Sequence, residues 1–257
     1  MSHETADFIV IGAGIGGASV AYWLSRQARV IVLEAETQPG YHSTGRSAAL
    51  FMESYGPDQV RALSRAGIDF FRHPPAGFCE HPLLTPRGAF VFAGPGQEAE
   101  LDAHEASVRA TSSVARRLDA REALEFLPVL RPDHVIGGVL EQDASDIDVD
   151  ALLQGFLRGT RQHGGRTVYD AAVTGLRRAD GQWTVTTARS LYQAPVIINA
   201  AGAWADTVAR MAGAGRRLDA VAALPRRPEK VGDFGVVSAH QFAVGDEAAQ
   251  ALSLIHI

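Results

Sequence analysis

The stretch that decides the fold is DFIVIGAGIGGASVAYWLSRQARVIVLEAE, from Asp7 to Glu36. Its first apolar run, residues 8–11, has the β-branched and aromatic composition of a strand buried on both faces. Apolar residues at helical spacing follow the glycines, and a second apolar run, RVIVL, covers residues 29–33. This order predicts a βαβ unit with two neighbouring parallel strands.

The glycines after the first run have the spacing G-x-G-x-x-G. Gly12 permits a tight turn, Gly14 lets the backbone approach a pyrophosphate, and Gly17 lets the helix pack closely on the strand. The helix N-terminus then offers free N–H groups and a positive dipole end to phosphates. Glu34, at the tip of the second strand, can bind both ribose hydroxyls and would repel a 2′-phosphate. The pattern predicts a site for FAD or NAD; the alternative is a glycine turn that binds no ligand.

The composition of the 257-residue chain, 46% hydrophobic and 21% charged, is that of a soluble globular protein. A net charge of −5 disfavours a nucleic-acid binder, which needs basic patches. Cys79, the single cysteine, cannot form an internal disulfide, so a reducing compartment is expected. No secretory signal pattern is present, and no apolar run approaches the roughly 20 residues that span a bilayer. We therefore expect a cytoplasmic protein without a membrane span.

The loop GYHSTGRSAALF, residues 40–51, separates FAD from NAD. A nicotinamide enzyme would normally continue from the second strand into a helix, whereas here a hydroxyl-rich loop intervenes. Its N–H groups and hydroxyls can contact a second phosphate or a flavin ring. An ordinary polar surface loop is the alternative.

The segment from residue 148 to residue 213 predicts a return to the first sheet. A helix starts near Asp148, and its C-terminus has the glycines of HGGR. Two short strands follow around an Asp180-Gly181 turn. The run VIIN then predicts another buried strand that rejoins the first sheet, followed by a turn at Gly202 and a helix.

Together these segments resemble the D-amino-acid oxidase-like flavoprotein superfamily, which includes glycine oxidase, sarcosine oxidase and D-amino-acid dehydrogenase. The resemblance rests on the glycine stretch, STGRSAA, DASDIDVDALLQGFLRGTRQHGGR and VIINAAGAWADTVARMAG. It implies FAD as the cofactor and an α/β fold. A Rossmann-like FAD-binding domain would surround a central parallel sheet, with an antiparallel crossover near residues 173–188. An incomplete α+β substrate domain with an antiparallel sheet would accompany it.

The resemblance also implies which residues hold the cofactor. Glu34 would bind the adenosine ribose, the loop from Thr44 to Ala48 would lie against the diphosphate and flavin, and the Val173 backbone would meet the adenine. The chain has Ser47-Ala48-Ala49 where many relatives have Asn-Gly-Gly. The expected cofactor-binding residues are Gly12, Gly14, Gly17, Glu34, Ala35, Thr44, Arg46, Ser47, Ala48, Val173 and Gly202.

Other polar residues receive no assigned chemistry. Some relatives carry a flavin-linked histidine near this loop, but His42 is out of register with it and is interpreted as a non-covalent loop residue. Glu53 and Tyr55 either line a pocket or are structural. No metal site is expected, and no catalytic residue is assigned.

The expected domains are a discontinuous FAD-binding domain, residues 1–85 and 143–213, and a partial substrate domain, residues 86–142. Residues 214–257 show little periodicity and no clear strand, and their end, LSLIHI, resembles a translated sequencing adaptor. We interpret the chain as a C-terminally truncated member with an artefactual tail; a genuine short C-terminal element is the alternative.

The resemblance implies hydride transfer from the Cα–H of an amino acid or secondary amine to flavin N5, and hydrolysis of the resulting imine. One alternative is a flavoprotein of the same fold that oxidises a C–O bond, in glycerol-3-phosphate or a 2-hydroxy acid. Another is a non-catalytic fragment. The expected partner is a small-molecule substrate, and the sequence does not determine the oligomeric state.

Overall fold

The computed structural model describes residues 2–112, 114–213 and 235–236. The strands are β1 (Ser2–Thr5), β2 (Phe8–Ile11), β3 (Val30–Leu33), β4 (Leu50–Phe51), β5 (Leu84–Pro86), β6 (Ala89–Ala93), β7 (Arg116–Asp119), β8 (Gly137–Glu141), β9 (Ser145–Ile147), β10 (Arg166–Val168), β11 (Val173–Ala179), β12 (Gln182–Thr187), β13 (Ser190–Ala194), β14 (Val196–Asn199) and β15 (Gly235–Val236). The helices are α1 (Ile15–Ser25), α2 (Asp58–Arg72), α3 (Glu98–Arg109), α4 (Ala120–Phe126), α5 (Val149–Gln162) and α6 (Ala205–Met211).

A four-stranded parallel sheet has the order β10-β3-β2-β14. The alternating residues of β2 are buried on opposite faces, as a doubly covered strand requires. Val10 packs with Ala21 of α1 on one face, whereas Ile9 and Ile11 pack with Val185 of the antiparallel strands on the other. The βαβ unit predicted from the first stretch, and the α/β class, are confirmed.

The antiparallel layer has the order β1-β13-β12-β11. Asp180 and Gly181, at the β11–β12 turn, both have positive φ values, as the predicted hairpin requires. The sequence analysis missed β1 and β13, which pair in parallel. The SHET segment was missed because its polar residues carry no apolar pattern; it forms a strand through backbone pairing with β13.

Two further sheets surround the middle of the chain. The sheet β15-β6-β8-β7 is antiparallel and carries α3 and α4, and α4 begins with a capping box formed by Asp119 and Glu122. A small sheet, β4-β9-β5, links the end of the loop at residues 40–51, which is called the flavin loop below after its expected contact, to the start of α5. The expectation of no strand after Gly213 is wrong at β15, which pairs with β6; the rest of residues 214–257 lies outside the described residues.

The strand β14 differs from its prediction. It was expected to be buried, but Val196 is 42% exposed and the remaining residues are half-buried. Within the described ranges β14 has one sheet neighbour, β2, so it is an edge strand. Among the described helices, none combines the length and the apolar character that crossing a membrane would require.

Candidate functional site

Three loops meet at the carboxyl edge of the parallel sheet. The ends of β2, β3 and β14 are aligned, since Ile11 is paired with both Leu33 and Asn199. The Gly12 N–H donates to the Leu33 carbonyl at 2.8 Å, and the Ala200 N–H donates to the Ile11 carbonyl at 2.9 Å. The glycine turn after β2 therefore lies between the loop after β3 and the turn after β14.

The first and third glycines of the motif are required by close backbone contacts. Gly12 has φ +106°, and a Cβ there would lie 2.4 Å from the Ala200 carbonyl oxygen. A Cβ on Gly17 would lie 1.8 Å from the Gly12 carbonyl oxygen. No real side chain tolerates such distances, so these glycines let α1 sit directly against the turn.

The N-terminus of α1 presents unpaired backbone donors. Its N-cap, Gly14, has no side chain to cap the helix, and the first turn contains no acidic residue. The Ile15 N–H donates to Thr44 Oγ1 at 3.0 Å. The N–H groups of Gly14, Gly16 and Gly17 make no hydrogen bond to any residue that the structure describes. Together with the positive end of the helix dipole, these donors suit a phosphate group.

Glu34, whose carboxylate lies beside this turn, is a buried residue with 8% exposure. Its Oε2 accepts a hydrogen bond from the Ala13 N–H at 2.6 Å, and its Oε1 accepts one from the Glu36 N–H at 3.0 Å. An ionised carboxylate has about four acceptor positions, so about two remain for ribose hydroxyls. Glu34 thus links the end of β3 to the glycine turn.

The loop after β3 places its polar residues in different surroundings. Thr44 starts a short 3-10 turn and reaches α1, whereas Arg46, Ser47 and Ala48 are exposed. The Arg46 guanidinium carbon lies 5.4 Å from the centre of the Tyr41 ring, and this guanidinium forms no ion pair with a described residue. Arg46 therefore remains available to an anionic ligand.

Ala49, the last residue of the Ser47-Ala48-Ala49 departure, has a left-handed backbone with φ +54°. Its N–H donates a hydrogen bond to the Ser47 hydroxyl at 3.0 Å. Left-handed backbone is costly for a residue with a Cβ and free of that cost for glycine.

The adenosine side of the expected site contains a residue that the sequence analysis missed. Val168 is paired with Leu33, and the Ala171 N–H donates to the Glu34 carbonyl at 2.8 Å, so Tyr169 lies beside the end of β3. Burial raises the pKa of the Tyr169 hydroxyl, Arg161 lowers it, and the negative Glu34 raises it again. Val173 begins β11 and packs on the core cluster that contains Leu33. No spacing signal in the sequence pointed to Tyr169, because it is brought here by β10.

The turn after β14 adds an aromatic contact that the sequence did not predict. Gly202 has φ +53°, and a Cβ there would meet no atom within 4 Å, so only its backbone conformation favours glycine. Two residues later, the Trp204 ring lies 4.5 Å from the His42 ring, centre to centre. His42 Nε2 also lies 2.8 Å from Glu36 Oε1.

A cavity of about 340 Å³ opens next to the segment that follows the flavin loop. The guanidinium of Arg72, at the end of α2, forms no ion pair or side-chain hydrogen bond with a described residue. Glu53 lines this cavity, which agrees with the pocket-lining alternative given for it above. Tyr55 is not part of the lining and is 53% exposed. The lining consists of Phe51, Glu53, Ile68, Arg72, Leu84, Pro86, Gln142, Asp143 and Ser145.

A buried carboxyl, Glu141, lies behind this cavity at the end of β8 and is 2% exposed. The Ser54 hydroxyl donates to its Oε2 at 2.5 Å. Burial raises the pKa of the Glu141 carboxyl; the hydrogen bonds from Ser54 oppose this rise, and Asp143 and Glu53 add to it. In the part of the chain that the structure describes, no three metal-binding side chains come together.

The sequence of residues 7–230 matches the family described as DAO, FAD dependent oxidoreductase. Dimethylglycine dehydrogenase from Rattus norvegicus is 27% identical over 222 residues, which are 82% of this chain and 25% of that protein. N-methyl-L-tryptophan oxidase from Escherichia coli O81 is 26% identical over 206 residues, which are 77% of this chain and 54% of that protein. The chain thus spans about a quarter to a half of the length of these curated relatives.

Solved structures share the fold. Glycine oxidase from Geobacillus kaustophilus aligns with a TM-score of 0.71 at 20% identity, covering 82% of this chain and 59% of that one. L-alpha-glycerophosphate oxidase from Mycoplasma pneumoniae, with FAD bound, aligns with a TM-score of 0.70 at 19% identity, covering 81% and 57%. These similarities confirm the predicted Rossmann-like flavoprotein architecture.

Proposed function

Because the chain belongs to the FAD-dependent oxidoreductase family, we propose that it binds FAD and oxidises the C–N bond of an amino acid or secondary amine. The observation that carries this proposal is the edge of the parallel sheet. There, the unpaired N–H groups of α1 lie next to the buried carboxylate of Glu34. A dinucleotide offers the two matching groups, a diphosphate and a ribose diol.

The residues at this edge fit FAD by shape as well as by charge. Side chains at Gly12 or Gly17 would collide with the backbone, and one at Gly14 would lie 3.2 Å from Thr44 Oγ1. The N–H groups of Gly14, Gly16 and Gly17 would bind the diphosphate, and Glu34 the adenosine ribose. Ala35 and Val173 would border the adenine. Arg46, Ser47 and Ala48 would lie against the diphosphate and flavin, and the turn at Gly202 would lie beside them.

Bound FAD would supply a hydride acceptor, and the protein would supply the position of the substrate and the exclusion of water. We place the substrate in the cavity next to Phe51, since Phe51 lies three residues after Ala48 and therefore within about 10 Å of it. Arg72 would pair with a substrate carboxylate. Glu53 and Asp143 would attract the amine, so the cavity suits a dipolar substrate.

The domain division remains part of this proposal. Residues 1–85 and 143–213 would hold the cofactor, and residues 86–142 would contribute the substrate side through β6, β7 and β8. The cavity lies at the junction of these two parts, because its lining includes Phe51 from the first and Gln142 from the second. This arrangement supports a substrate bound between the domains.

The oxidation of a C–O bond is a second candidate. It is supported by the fold shared with L-alpha-glycerophosphate oxidase. A phosphate-bearing alcohol would need several cations around it, whereas the cavity lining contains a single arginine and two acidic residues. This charge balance favours an amine.

The test begins with the full chain, purified, mixed with FAD and freed of unbound flavin. We expect a yellow protein with the two visible bands of oxidised flavin. Glycine, sarcosine, dimethylglycine, D-alanine and L-proline are then added without oxygen, in parallel with glycerol-3-phosphate and L-lactate. Bleaching by an amine supports the proposal, whereas bleaching by the alcohols alone supports the second candidate. A protein that stays colourless contradicts both and supports a non-catalytic fragment.

A further inference from the structure

The contact between His42 and Trp204 joins two loops that are distant in the chain. Trp204 is 50% exposed, and among the described residues the ring of His42 is the one aromatic ring that it contacts. The His42 imidazole also contacts Glu36, whose Oε1 lies 2.8 Å from Nε2. An indole that is half exposed to solvent contributes little to a hydrophobic core. Core packing therefore does not explain why a tryptophan stands at this position.

The positions of the strands place this contact across the glycine turn. β3 and β14 flank β2, and neighbouring strands are about 4.8 Å apart, so the two loops must span about 10 Å to meet. Thr44, two residues after His42, reaches the first turn of α1, where its Oγ1 accepts the Ile15 N–H. The loop that carries His42 therefore contacts the N-terminus of α1 two residues after the ring that contacts Trp204.

We propose that His42 and Trp204 form a clasp that closes over the diphosphate of FAD. This inference rests on the proposed function, since it requires the dinucleotide to lie along the glycine turn. The unpaired N–H groups of α1 belong to the turn that these two loops flank, so the diphosphate would be held between backbone donors and the aromatic rings. Glu36 is a positioning residue that orients the imidazole.

The neighbouring rings extend the clasp along the loop. The Tyr41 ring lies 5.0 Å from the His42 ring, edge to face, and the Arg46 guanidinium lies over the other part of Tyr41. The contacts from Trp204 to Arg46 thus connect three aromatic rings and one guanidinium in a continuous row. Opening it requires breaking the ring contact, so the clasp acts on the rate at which FAD leaves.

The test measures FAD dissociation after rapid dilution of the yellow full-length protein, followed by the return of flavin fluorescence. The variants are Trp204→Ala, His42→Ala and both together. The loss of one aromatic contact changes a dissociation rate by about two- to tenfold. We therefore expect Trp204→Ala to release FAD up to about tenfold faster. Because the two rings act as one contact, the double variant should release FAD no faster than the more affected single one. Trp204→Phe, which keeps a ring, should restore most of the slow release.

Trp23→Ala is the matched control, since Trp23 is 49% exposed and lies away from this edge on α1. It should leave the release rate unchanged. Thermal unfolding of each variant with and without FAD identifies a structural role. The clasp predicts a smaller FAD-induced rise in Tm, with little change in the Tm of the free protein.

Equal release rates for Trp204→Ala and the wild type would overturn the clasp while the proposed function stands. A drop in the Tm of the free protein without faster release would assign the two rings a structural role and also overturn it. A wild type that binds no FAD would overturn the proposed function and the clasp together.

Discussion

The Glu34 carboxylate and the Ala13 backbone N–H are joined by a hydrogen bond of 2.6 Å between two buried residues. This bond ties the end of β3 to the glycine turn after β2. The carboxylate that the cofactor would use is thus also part of the folded scaffold. Changes at Glu34 are therefore expected to affect stability and cofactor binding together.

Replacing Glu34 with alanine should lower both quantities. The buried Ala13 N–H loses its acceptor, and a hydrogen bond to a charged group contributes about 1.5–3 kcal/mol to the free energy of unfolding. The Kd for FAD should rise by about tenfold or more, because the ribose loses its acceptor. Urea denaturation and FAD titration measure the two effects. Glu125→Ala, which removes an exposed carboxylate on α4, should change neither; a Glu34 variant of unchanged stability would contradict the prediction.

Two glycines in helices should respond to alanine in opposite directions. Gly17→Ala places a Cβ 1.8 Å from the Gly12 carbonyl oxygen, so either the turn or the helix must shift. We expect a loss of about 3 kcal/mol in the free energy of unfolding. Gly67→Ala in α2 would meet only Phe71 at 3.8 Å, an ordinary contact, and should gain about 0.5–1 kcal/mol from helix propensity. Equal effects in denaturant titrations would show that the close approach at Gly17 is not needed.

The left-handed residue of the flavin loop offers a stabilising change. Ala49→Gly removes the conflict between a Cβ and φ +54°, and the gain is partly offset by the greater freedom of glycine in the unfolded chain. We expect the free energy of unfolding to rise by about 0.5–1 kcal/mol. Ala48→Gly, one residue earlier, has no left-handed backbone to relieve and should lower stability. A destabilised Ala49→Gly variant would mean that this loop adopts a different conformation.

The buried carboxyl of Glu141 should make stability depend on pH. Its folded-state pKa is raised above the ordinary value of 4.5, so the folded protein favours the protonated form. The stability that this group contributes is fully present below that value and is lost as the pH rises through the folded-state pKa. Glu141→Gln keeps an oxygen for the Ser54 hydroxyl but does not titrate.

For Glu141, the free energy of unfolding of wild type and Glu141→Gln is measured from about pH 4 upward, at intervals of about one pH unit. The stability of the variant relative to the wild type should increase as the pH increases, because only the wild type must bury a charge. Glu125→Gln, at an exposed position, should follow the wild type throughout. A constant difference between wild type and Glu141→Gln would refute a raised pKa at Glu141.

Arg72 should determine the affinity for a carboxylate-bearing substrate. Arg72→Gln is expected to raise the KM of the best amine substrate by about tenfold or more, because a charge-assisted pair is lost. The flavin spectrum and the Kd for FAD should not change, since Arg72 lies outside the cofactor site. Arg65→Gln, on the same helix and outside the cavity lining, should leave KM unchanged. An unaltered KM in Arg72→Gln would place the substrate elsewhere.

Local patterns predicted the elements around the cofactor edge well. The run before Gly12 and the helix after it follow from the pattern of a βαβ unit, and the acid at Glu34 follows from the spacing of a dinucleotide-binding unit. The hairpin at Asp180-Gly181 also follows from local chemistry, because both residues tolerate positive φ. Patterns failed where pairing alone creates the element: β1 has no apolar alternation, and β14 was expected to be buried although its sheet position leaves it half-exposed.

By itself, the sequence determined the cofactor class and predicted which residues a dinucleotide would contact, because glycine spacing and strand ends are properties of neighbouring residues. The tertiary structure alone decided that Tyr169 lies beside the end of β3, that Glu53 and Arg72 share a cavity, and that His42 contacts Trp204. Each of these pairings joins segments that are far apart in the chain, and only the order of the strands in the sheets brings their side chains together.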